Sequence, residues 1–312
     1  MVFLKAFGRY LPERVITNEE MGLRIGKEAA WIEQVSGIAE RRFAAPEETV
    51  VDLAMRAGKN CMEQCAGAGE EIGMLIVASG TGSRRFPGPA AMVSHGLGLD
   101  GVPALDLPMA SAGSLFGLCV AARFAPSCRN VLVIAAEKMS EVSLRDPVEP
   151  GTAGLFGDGA GACIVSGGAG IAEILDFTIH SDGSFAEDLR LEFGGPVMMN
   201  GRSVILQASR KLPRAIGDVL EQTGIPPAKV GAFILHQANR NLLAGVARAL
   251  SVPENRFYSN ISRYGNTSSA SMLIAASEWN ETAGFQPGRP VVFAGFGAGF
   301  HWGAMVVMGT GS

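Results

Sequence analysis

The stretch FGDGAGACIV at residues 156–165 decides the fold, because GFGAGFHWGAMVV at residues 295–307 repeats its form near the carboxyl terminus. Each is a glycine-rich loop that enters an apolar run. Two further pairs recur in the same order. The strand-like runs 74–79 and 232–236 end at a polar turn and at His236, and PALDLPMAS (103–111) and RFYSNISRYGNTSS (256–269) each lead into an apolar helix. Three ordered pairs predict a duplicated unit.

Nearly continuous apolar runs alternate with helical patterns along the chain, as in sheets that are covered on both faces. The predicted strands are 74–79, 103–107, 130–137, 162–166, 232–236, 257–261, 290–296 and 302–308, with a further strand near the amino terminus. The predicted helices are 50–67, 87–98, 112–124, 203–223, 238–250 and 268–283. This alternation predicts an α/β fold. The glycine-rich SGGAGI (166–171) marks the boundary between two halves, 1–168 and 169–312.

The composition excludes several classes of protein. Of 312 residues, 47% are apolar and 18% are charged, which indicates a large buried core rather than disorder. A net charge of −4 argues against a nucleic-acid surface. No apolar run reaches the roughly 20 residues that span a bilayer, and no export signal is evident, so we expect a cytoplasmic protein without a membrane partner. The five cysteines then fit reduced, packed thiols, and their spacing does not support a metal site.

Ser111 is the first candidate for chemistry. It lies in PMASAGSLFGLCVAA (108–122), directly after a predicted strand and at the start of an apolar helix. Free backbone N–H groups and the helix dipole favour an anionic nucleophile or oxyanion at such a position. The structural alternative is that Ser111 only caps the helix.

His236 in LHQANR (235–240) and Asn266 in RYGNTSSAS (263–271) also follow predicted strands. Taken alone, His236 fits a buried, hydrogen-bonded residue, and Asn266 fits a turn or cap residue. Together with Ser111 they occupy equivalent strand ends of a duplicated α/β protein. Ligand sites of such sheets lie at the carboxyl ends of strands, so we expect the three side chains to meet.

These motifs resemble the beta-ketoacyl-acyl-carrier-protein synthase III family. HQANR, GNTSSAS, LFGDGAGA and GFGAGFHWGA occur here in the family's order, and WIEQVSGIAERR (31–42) resembles its tryptophan-containing signature. RFPGPAA (85–91) resembles the stretch that carries a phenylalanine into the partner subunit's pocket. The resemblance covers nearly the whole chain and implies a duplicated, five-layer αβαβα thiolase-like fold.

The resemblance also implies roles for individual residues. Ser111 falls where the family has its nucleophilic cysteine, and His236 and Asn266 fall on the histidine and asparagine that stabilise the enolate of a malonyl thioester. The implied substrate-binding residues are Trp31, Phe86, Phe156, Gly297, Gly299 and Phe300. Arg240, Arg248 and Arg210, with Lys211, are expected to meet an acidic carrier protein. The implied assembly is a homodimer without a resident cofactor, and acyl-coenzyme A or acyl-carrier protein is a substrate.

The chain departs from the family at the nucleophile and at several cations. A serine hydroxyl is far less acidic than a thiol and needs a general base in contact, and none of the five cysteines replaces it. Cys119 is expected to be packed two turns further along its helix. The arginines or lysine expected for coenzyme A are replaced by neutral residues: Val35, Pro150, Leu206 and Asn241. Fewer cations favour a carrier-bound donor.

Three functions fit these features. The first is a condensing enzyme of the synthase III type in which the serine is natural or engineered. The second is a serine-dependent acyltransferase without decarboxylative condensation, and the third is a non-catalytic subunit that binds an acyl carrier. Retention of both His236 and Asn266 favours the first over the third. A generic serine hydrolase is poorly supported, because MASAG (109–113) lacks the elbow spacing and no acidic partner of His236 is indicated.

Overall fold

The computed structural model describes residues 1–65 and 71–311. Its strands are β1 Phe3–Tyr10, β2 Arg14–Thr17, β3 Glu40–Phe43, β4 Ile72–Ala78, β5 Ala104–Leu107, β6 Asn130–Lys138, β7 Asp158–Ser166, β8 Ala172–Ser181, β9 Leu189–Leu191, β10 Val197–Met199, β11 Ala232–Leu235, β12 Pro290–Gly297 and β13 His301–Gly309. Its helices are α1 Asn18–Ile25, α2 Ala29–Ser36, α3 Val50–Glu63, α4 Pro89–Gly96, α5 Gly113–Cys128, α6 Met139–Ser143, α7 Pro150–Ala153, α8 Gly201–Gln222, α9 Arg240–Ala249, α10 Ile261–Tyr264 and α11 Ser271–Thr282.

The main sheet confirms the duplication. Its strand order is β11-β12-β13-β8-β1-β7-β6-β4-β5, and the two halves join where β1 pairs with β8. In the first half, β4 and β6 are parallel, and β6 with β7 and β7 with β1 are antiparallel. In the second half, β11 and β12 are parallel, and β12 with β13 and β13 with β8 are antiparallel. The predicted boundary at 168/169 falls in the connection between β7 and β8.

The predicted strand at 257–261 is wrong. Phe257 forms one parallel bridge with Phe233 on the outer side of β11, and α10 begins at Ile261. In the first half, the four-residue β5 pairs with β4 at the corresponding place. A 3₁₀ turn over Glu254–Arg256 ends just before Phe257, so the segment between turn and helix is too short to extend the pairing.

Three buried apolar clusters separate the layers. One packs α3 and α4 against the first-half strands, with Leu53, Leu75 and Ile134. The central cluster brings α5 and α11 between strands of both halves, and it includes Leu118 and Leu273. The third packs α8 and α9 against β11, β12 and β13. The result is the αβαβα order of a thiolase-like fold, in which α5 and α11 must be apolar on nearly all sides.

Helix ends follow the local sequence. Thr49 and Asp52 form a reciprocal capping box that starts α3 at Val50, as predicted. That helix ends at Glu63, and the last two residues of its predicted range, 66 and 67, lie outside the described residues. Five strands were not predicted from the sequence. They are β2 and β3, which pair in a small separate sheet, β8 of the main sheet, and the β9–β10 hairpin that precedes α8.

Candidate functional site

Ser111 lies at the centre of a tight turn between β5 and α5. Its φ of +64° is unusual for a residue with a side chain, and the Ala112 N–H donates to the Ala110 carbonyl at 2.7 Å. An i to i+2 bond around a positive φ is a strained γ-turn, and such strain concentrates at functional sites. The N-cap of α5 is Ala112, without a side-chain cap, so the Ser111 hydroxyl is not used as a helix cap.

His236 follows the last residue of β11 and is 6% exposed. Its Nδ1 lies 2.6 Å from Ser271 Oγ, which also accepts the Gln237 N–H at 3.0 Å. Burial lowers the pKa of the His236 ring from 6.5 to about 4, against a hydrogen bond to the Ser268 backbone that raises it. The imidazole is therefore neutral at pH 7, and His236 lines the cavity described below.

Asn266 follows α10 and is held from both sides. Its N–H donates to the Leu155 carbonyl at 2.9 Å, and its own carbonyl accepts the Gly157 N–H at 3.1 Å. Oδ1 accepts the Ser268 N–H at 2.9 Å. Among the described residues no group accepts from Nδ2, so this amide is available to donate to a ligand.

The structure brings Ser111, His236 and Asn266 to one cavity of about 90 Å³. Its other walls are mostly apolar and come from the start of α8, the start of α9 and the end of β12: Val204, Ile205, Ala208, Leu212, Leu242, Leu243 and Phe296 among them. A second cavity of about 60 Å³ shares Ser111 and Phe156 and adds Met139, Leu191 and Val197. A few polar groups in an otherwise apolar enclosure suit a ligand with a long apolar part.

The implied substrate-binding residues divide into two groups. Phe156 and Gly297 line the larger cavity, and a side chain at Gly297 would come 2.2 Å from the Ala110 carbonyl oxygen. Gly299 and Phe300 line neither cavity, contrary to the expectation that they bind substrate. Phe300 is fully buried between Phe185 and Phe296, with ring centroids 5.2 and 4.8 Å away.

Trp31 and Phe86 lie outside both cavities. Trp31 is on α2, half-buried, with Lys27 Nζ 5.2 Å from the centre of its ring. Phe86 is 86% exposed. It lies beside an open cavity of about 490 Å³ lined by its neighbour Arg85 and by Phe193.

The implied carrier-binding arginines lie on two neighbouring helices, Arg210 on α8 and Arg240 and Arg248 on α9. Arg240 begins α9, next to the cavity-lining Asn239. Arg248 pairs with Glu254 at 3.5 Å. Arg210 lines a groove with Lys211 and Arg214, on a face of α8 different from that of the cavity-lining Val204, Ala208 and Leu212.

The cysteines do not enter the site. All five are free, and Cys119 is buried, as predicted. Burial raises the pKa of the Cys61, Cys119 and Cys163 thiols, which keeps them protonated and unreactive. Within residues 1–65 and 71–311, no helix is long and apolar enough to cross a membrane.

Sequence reasoning missed Glu137 and Ser268. Glu137 is the penultimate residue of β6 and is fully buried, and the hydroxyl of Ser268, with φ +48°, donates to its Oε1 at 3.1 Å. Burial raises the pKa of Glu137 even though several donors surround it. A glutamate within the apolar run NVLVIAAE (130–137) was the one available signal, because a buried charge requires partners. A serine within TSSAS (267–271) gives no comparable signal.

Comparison with known proteins shows the family to which the chain belongs. Residues 105–183 match the family model described as 3-oxoacyl-[acyl-carrier-protein (ACP)] synthase III, and residues 220–308 match the model of its C-terminal part. A beta-ketoacyl-[acyl-carrier-protein] synthase III of Aquifex aeolicus is 35% identical over 302 residues, which cover 96% of this chain and 97% of that protein. This chain belongs to the 3-oxoacyl-[acyl-carrier-protein] synthase III family.

Solved structures of the synthase III family agree with the fold. The Aquifex aeolicus enzyme superimposes with a TM-score of 0.93, covering 99% of this chain and 100% of that one. The Pseudomonas aeruginosa PAO1 enzyme, 30% identical, gives 0.91 with coverage of 100% and 98%. A priming beta-ketosynthase of the R1128 polyketide pathway, 28% identical, also gives 0.91 with coverage of 100% and 97%. The chain is accordingly an acyl-transferring enzyme of the condensing type.

Proposed function

We propose that this enzyme moves an acyl group from a thioester to Ser111 and then condenses it with a malonyl thioester. The observation that carries the proposal is the meeting of Ser111, His236 and Asn266 at one largely apolar cavity. Ser111 occupies the place of the family's nucleophilic cysteine by resemblance. The strained turn and the start of α5 support a nucleophile there.

In the first step Ser111 Oγ attacks the thioester carbonyl, and His236 Nε2 removes the hydroxyl proton. A neutral imidazole is required for this step, and the lowered pKa of His236 supplies one. The carbon–sulfur bond then breaks, and the leaving thiolate takes the proton from His236. Asn266 Nδ2 donates to the developing oxyanion, since its Oδ1 is already bound to the Ser268 N–H.

In the second step a malonyl thioester loses carbon dioxide, and the resulting carbanion attacks the Ser111 ester. The new carbon–carbon bond forms as the ester bond breaks, and the Ser111 alkoxide takes a proton from His236, which water then replaces. Asn266 Nδ2 donates to the enolate oxygen, and so does neutral His236 once its ring proton sits on Nε2 and Nδ1 accepts from Ser271 Oγ, 2.6 Å away. The acyl donor is a substrate in this scheme, and the chain's own residues supply the other groups.

A second candidate follows from the serine itself. An oxygen ester is less electrophilic than a thioester, so the carbanion attack is slower than in a cysteine enzyme. The enzyme would then pass the acyl group to an alcohol, an amine or a carrier instead of condensing it. Ser111 is the specific feature that favours this candidate.

The test is stepwise. Purified protein is incubated with an acyl thioester, its intact mass is measured, and malonyl-carrier protein is then added. An adduct on Ser111 followed by a 3-ketoacyl product supports condensation, whereas a stable adduct supports the acyltransferase. Absence of both an adduct and malonyl decarboxylation supports a non-catalytic subunit. Ser111→Ala is the matched control, and Ser111→Cys asks whether the remaining site is complete.

We infer that the preferred donor is an acyl-carrier protein. Four cations of the coenzyme A site are replaced, and Val35 and Leu206 are exposed apolar residues with exposed fractions of 39% and 44%. Pro150 begins α7 beside the Glu149 carboxylate, which caps that helix and would repel a phosphate. The measurement compares kcat/KM for one acyl chain on coenzyme A and on the carrier; a clear preference for coenzyme A contradicts the inference.

We also infer a homodimer. The edge strand β5 is largely exposed, and Leu105 on it is 40% exposed, so another chain can cover this edge. Phe86 and Phe193, 86% and 59% exposed, lie close to the same open cavity. Light scattering during gel filtration should give twice the chain mass, and Phe86→Asp should shift it toward the monomer. A monomeric wild-type protein would contradict this.

A further inference from the structure

Ser268 contacts each of the three residues that converge on the cavity. Its hydroxyl accepts the Ser111 N–H at 3.0 Å. Its own N–H donates to Asn266 Oδ1 at 2.9 Å, and its backbone shares a hydrogen bond with the His236 ring. Ser268 is itself in the left-handed region, with φ +48°. A residue with a side chain persists there only when its surroundings hold it.

Glu137 holds the hydroxyl of Ser268. Ser268 Oγ already accepts from Ser111, so its proton points to Glu137 Oε1, 3.1 Å away. The same carboxylate accepts from Thr81 Oγ1 at 2.6 Å, Ser269 Oγ at 2.7 Å and the Gly80 N–H at 3.1 Å. Because these donors come from separate parts of the chain, the buried Glu137 is fixed and can act as an anchor.

We propose that Ser268, anchored by Glu137, is a positioning residue whose hydroxyl holds the Ser111 turn against His236 and Asn266. The proposal rests on the function proposed above. It concerns a single contact. The Ser111 N–H in the strained γ-turn needs an acceptor, and Ser268 Oγ is that acceptor. A turn that relaxes moves Ser111 Oγ away from the imidazole, and a displacement of about 1 Å can cost about 100-fold in rate.

Two substitutions separate the hydroxyl from the backbone of Ser268. Ser268→Ala removes the hydroxyl and keeps the backbone bonds to Asn266 and His236. Ser268→Gly does the same, and glycine adopts a φ of +48° without strain, so this variant keeps the fold even if alanine does not. Ser269→Ala is the matched control, because it removes a bond to Glu137 of 2.7 Å but none to Ser111.

Two measurements are made on the full-length protein. The first is the single-turnover rate of acylation of Ser111 by an acyl thioester, with the apparent donor affinity taken from its concentration dependence. The second is hydrogen–deuterium exchange of the Ser111 amide. We expect both Ser268 variants to lose about 10- to 100-fold in rate with little change in affinity, and their Ser111 amide to exchange faster. Ser269→Ala should stay within about twofold of wild type in both measurements.

The outcomes are distinguishable from those of the proposed function. Unchanged exchange of the Ser111 amide in both Ser268 variants overturns the positioning role, whatever the activity. Equal losses in Ser269→Ala also overturn it, because they indicate general loosening around Glu137. Recovery of the rate in Ser268→Gly but not in Ser268→Ala overturns it as well, since backbone conformation would then be decisive. If wild type is never acylated yet exchange rises only in the Ser268 variants, the proposed function fails and the hold on the turn is supported.

Discussion

The protonation of His236 should be visible in the stability of the protein. The ring's pKa is about 4 in the folded state and 6.5 in the unfolded state, so the unfolded chain binds the proton more readily. Stability is therefore present above pH 6.5 and is lost as the pH falls toward 4. The difference of roughly 2.5 pH units, at about 1.4 kcal/mol each, gives a loss of about 2 kcal/mol by pH 5 and about 3 kcal/mol by pH 4.

His236→Gln removes this titration and keeps a polar group of similar size near Ser271. The free energy of unfolding is measured in urea at several pH values between 7.5 and 4 for both proteins. The comparison is needed because Asp158 works in the opposite direction: burial raises the pKa of Asp158 to about 6, so that group contributes more stability as the pH falls. Asp158 is present in both proteins, and its contribution cancels in the difference.

We expect the stability difference between wild type and His236→Gln to shift by about 3 kcal/mol in favour of the variant from pH 7 to pH 4. Parallel curves, within about 0.5 kcal/mol, would refute the account of a buried, neutral imidazole.

The lowered pKa of His236 should also set the pH dependence of acylation in the wild type. Its rate should show no loss near pH 6.5, where an ordinary histidine base becomes protonated, and should decline only as the pH nears 4.

Further predictions concern packing, helix capping and the exposed Leu206 on α8. Gly297→Ala places a carbon 2.2 Å from the Ala110 oxygen, so it should lower the free energy of unfolding by about 1–3 kcal/mol and abolish acylation. The control is Gly217→Ala, which has open space around it and should not destabilise the protein in the same urea titration. Thr49→Ala removes the capping box of α3 and should cost about 1 kcal/mol, and no change would argue against that cap. Leu206→Lys should lower KM for an acyl-carrier protein about twofold to fivefold at low salt, an effect that high salt should remove.

The fold was predictable where the sequence has a clear hydrophobic pattern bounded by turn residues. The run NVLVIAAE (130–137) is apolar on both faces and forms β6, and β12 and β13 follow in the same way from their apolar runs. The segment β8 was missed because its side chains are mostly half-exposed and its sequence mixes polar and apolar residues. The strand at 257–261 failed because the turn and helix that flank it leave no room to pair.

The site was predictable only in part. Ser111, His236 and Asn266 were expected to meet because they occupy equivalent strand ends of a duplicated sequence, and the structure brings them to one cavity. Phe300 looked like a ligand contact but packs in the core between aromatic rings. Ser268 could not be found, because its importance depends on a positive φ and on partners from 131 and 157 residues away along the chain.

The bond between Ser111 and Ser268 crosses from one repeat to the other. The turn that presents the hydroxyl is made by the first half of the chain, whereas its acceptor, the imidazole and the carboxamide all come from the second. A half expressed alone would contain either Ser111 or the residues that meet it, and the Ser111 N–H would lose Ser268 Oγ as its acceptor. If the proposed function holds, acylation requires both repeats to be docked, so its appearance during refolding should follow the formation of the contact between them.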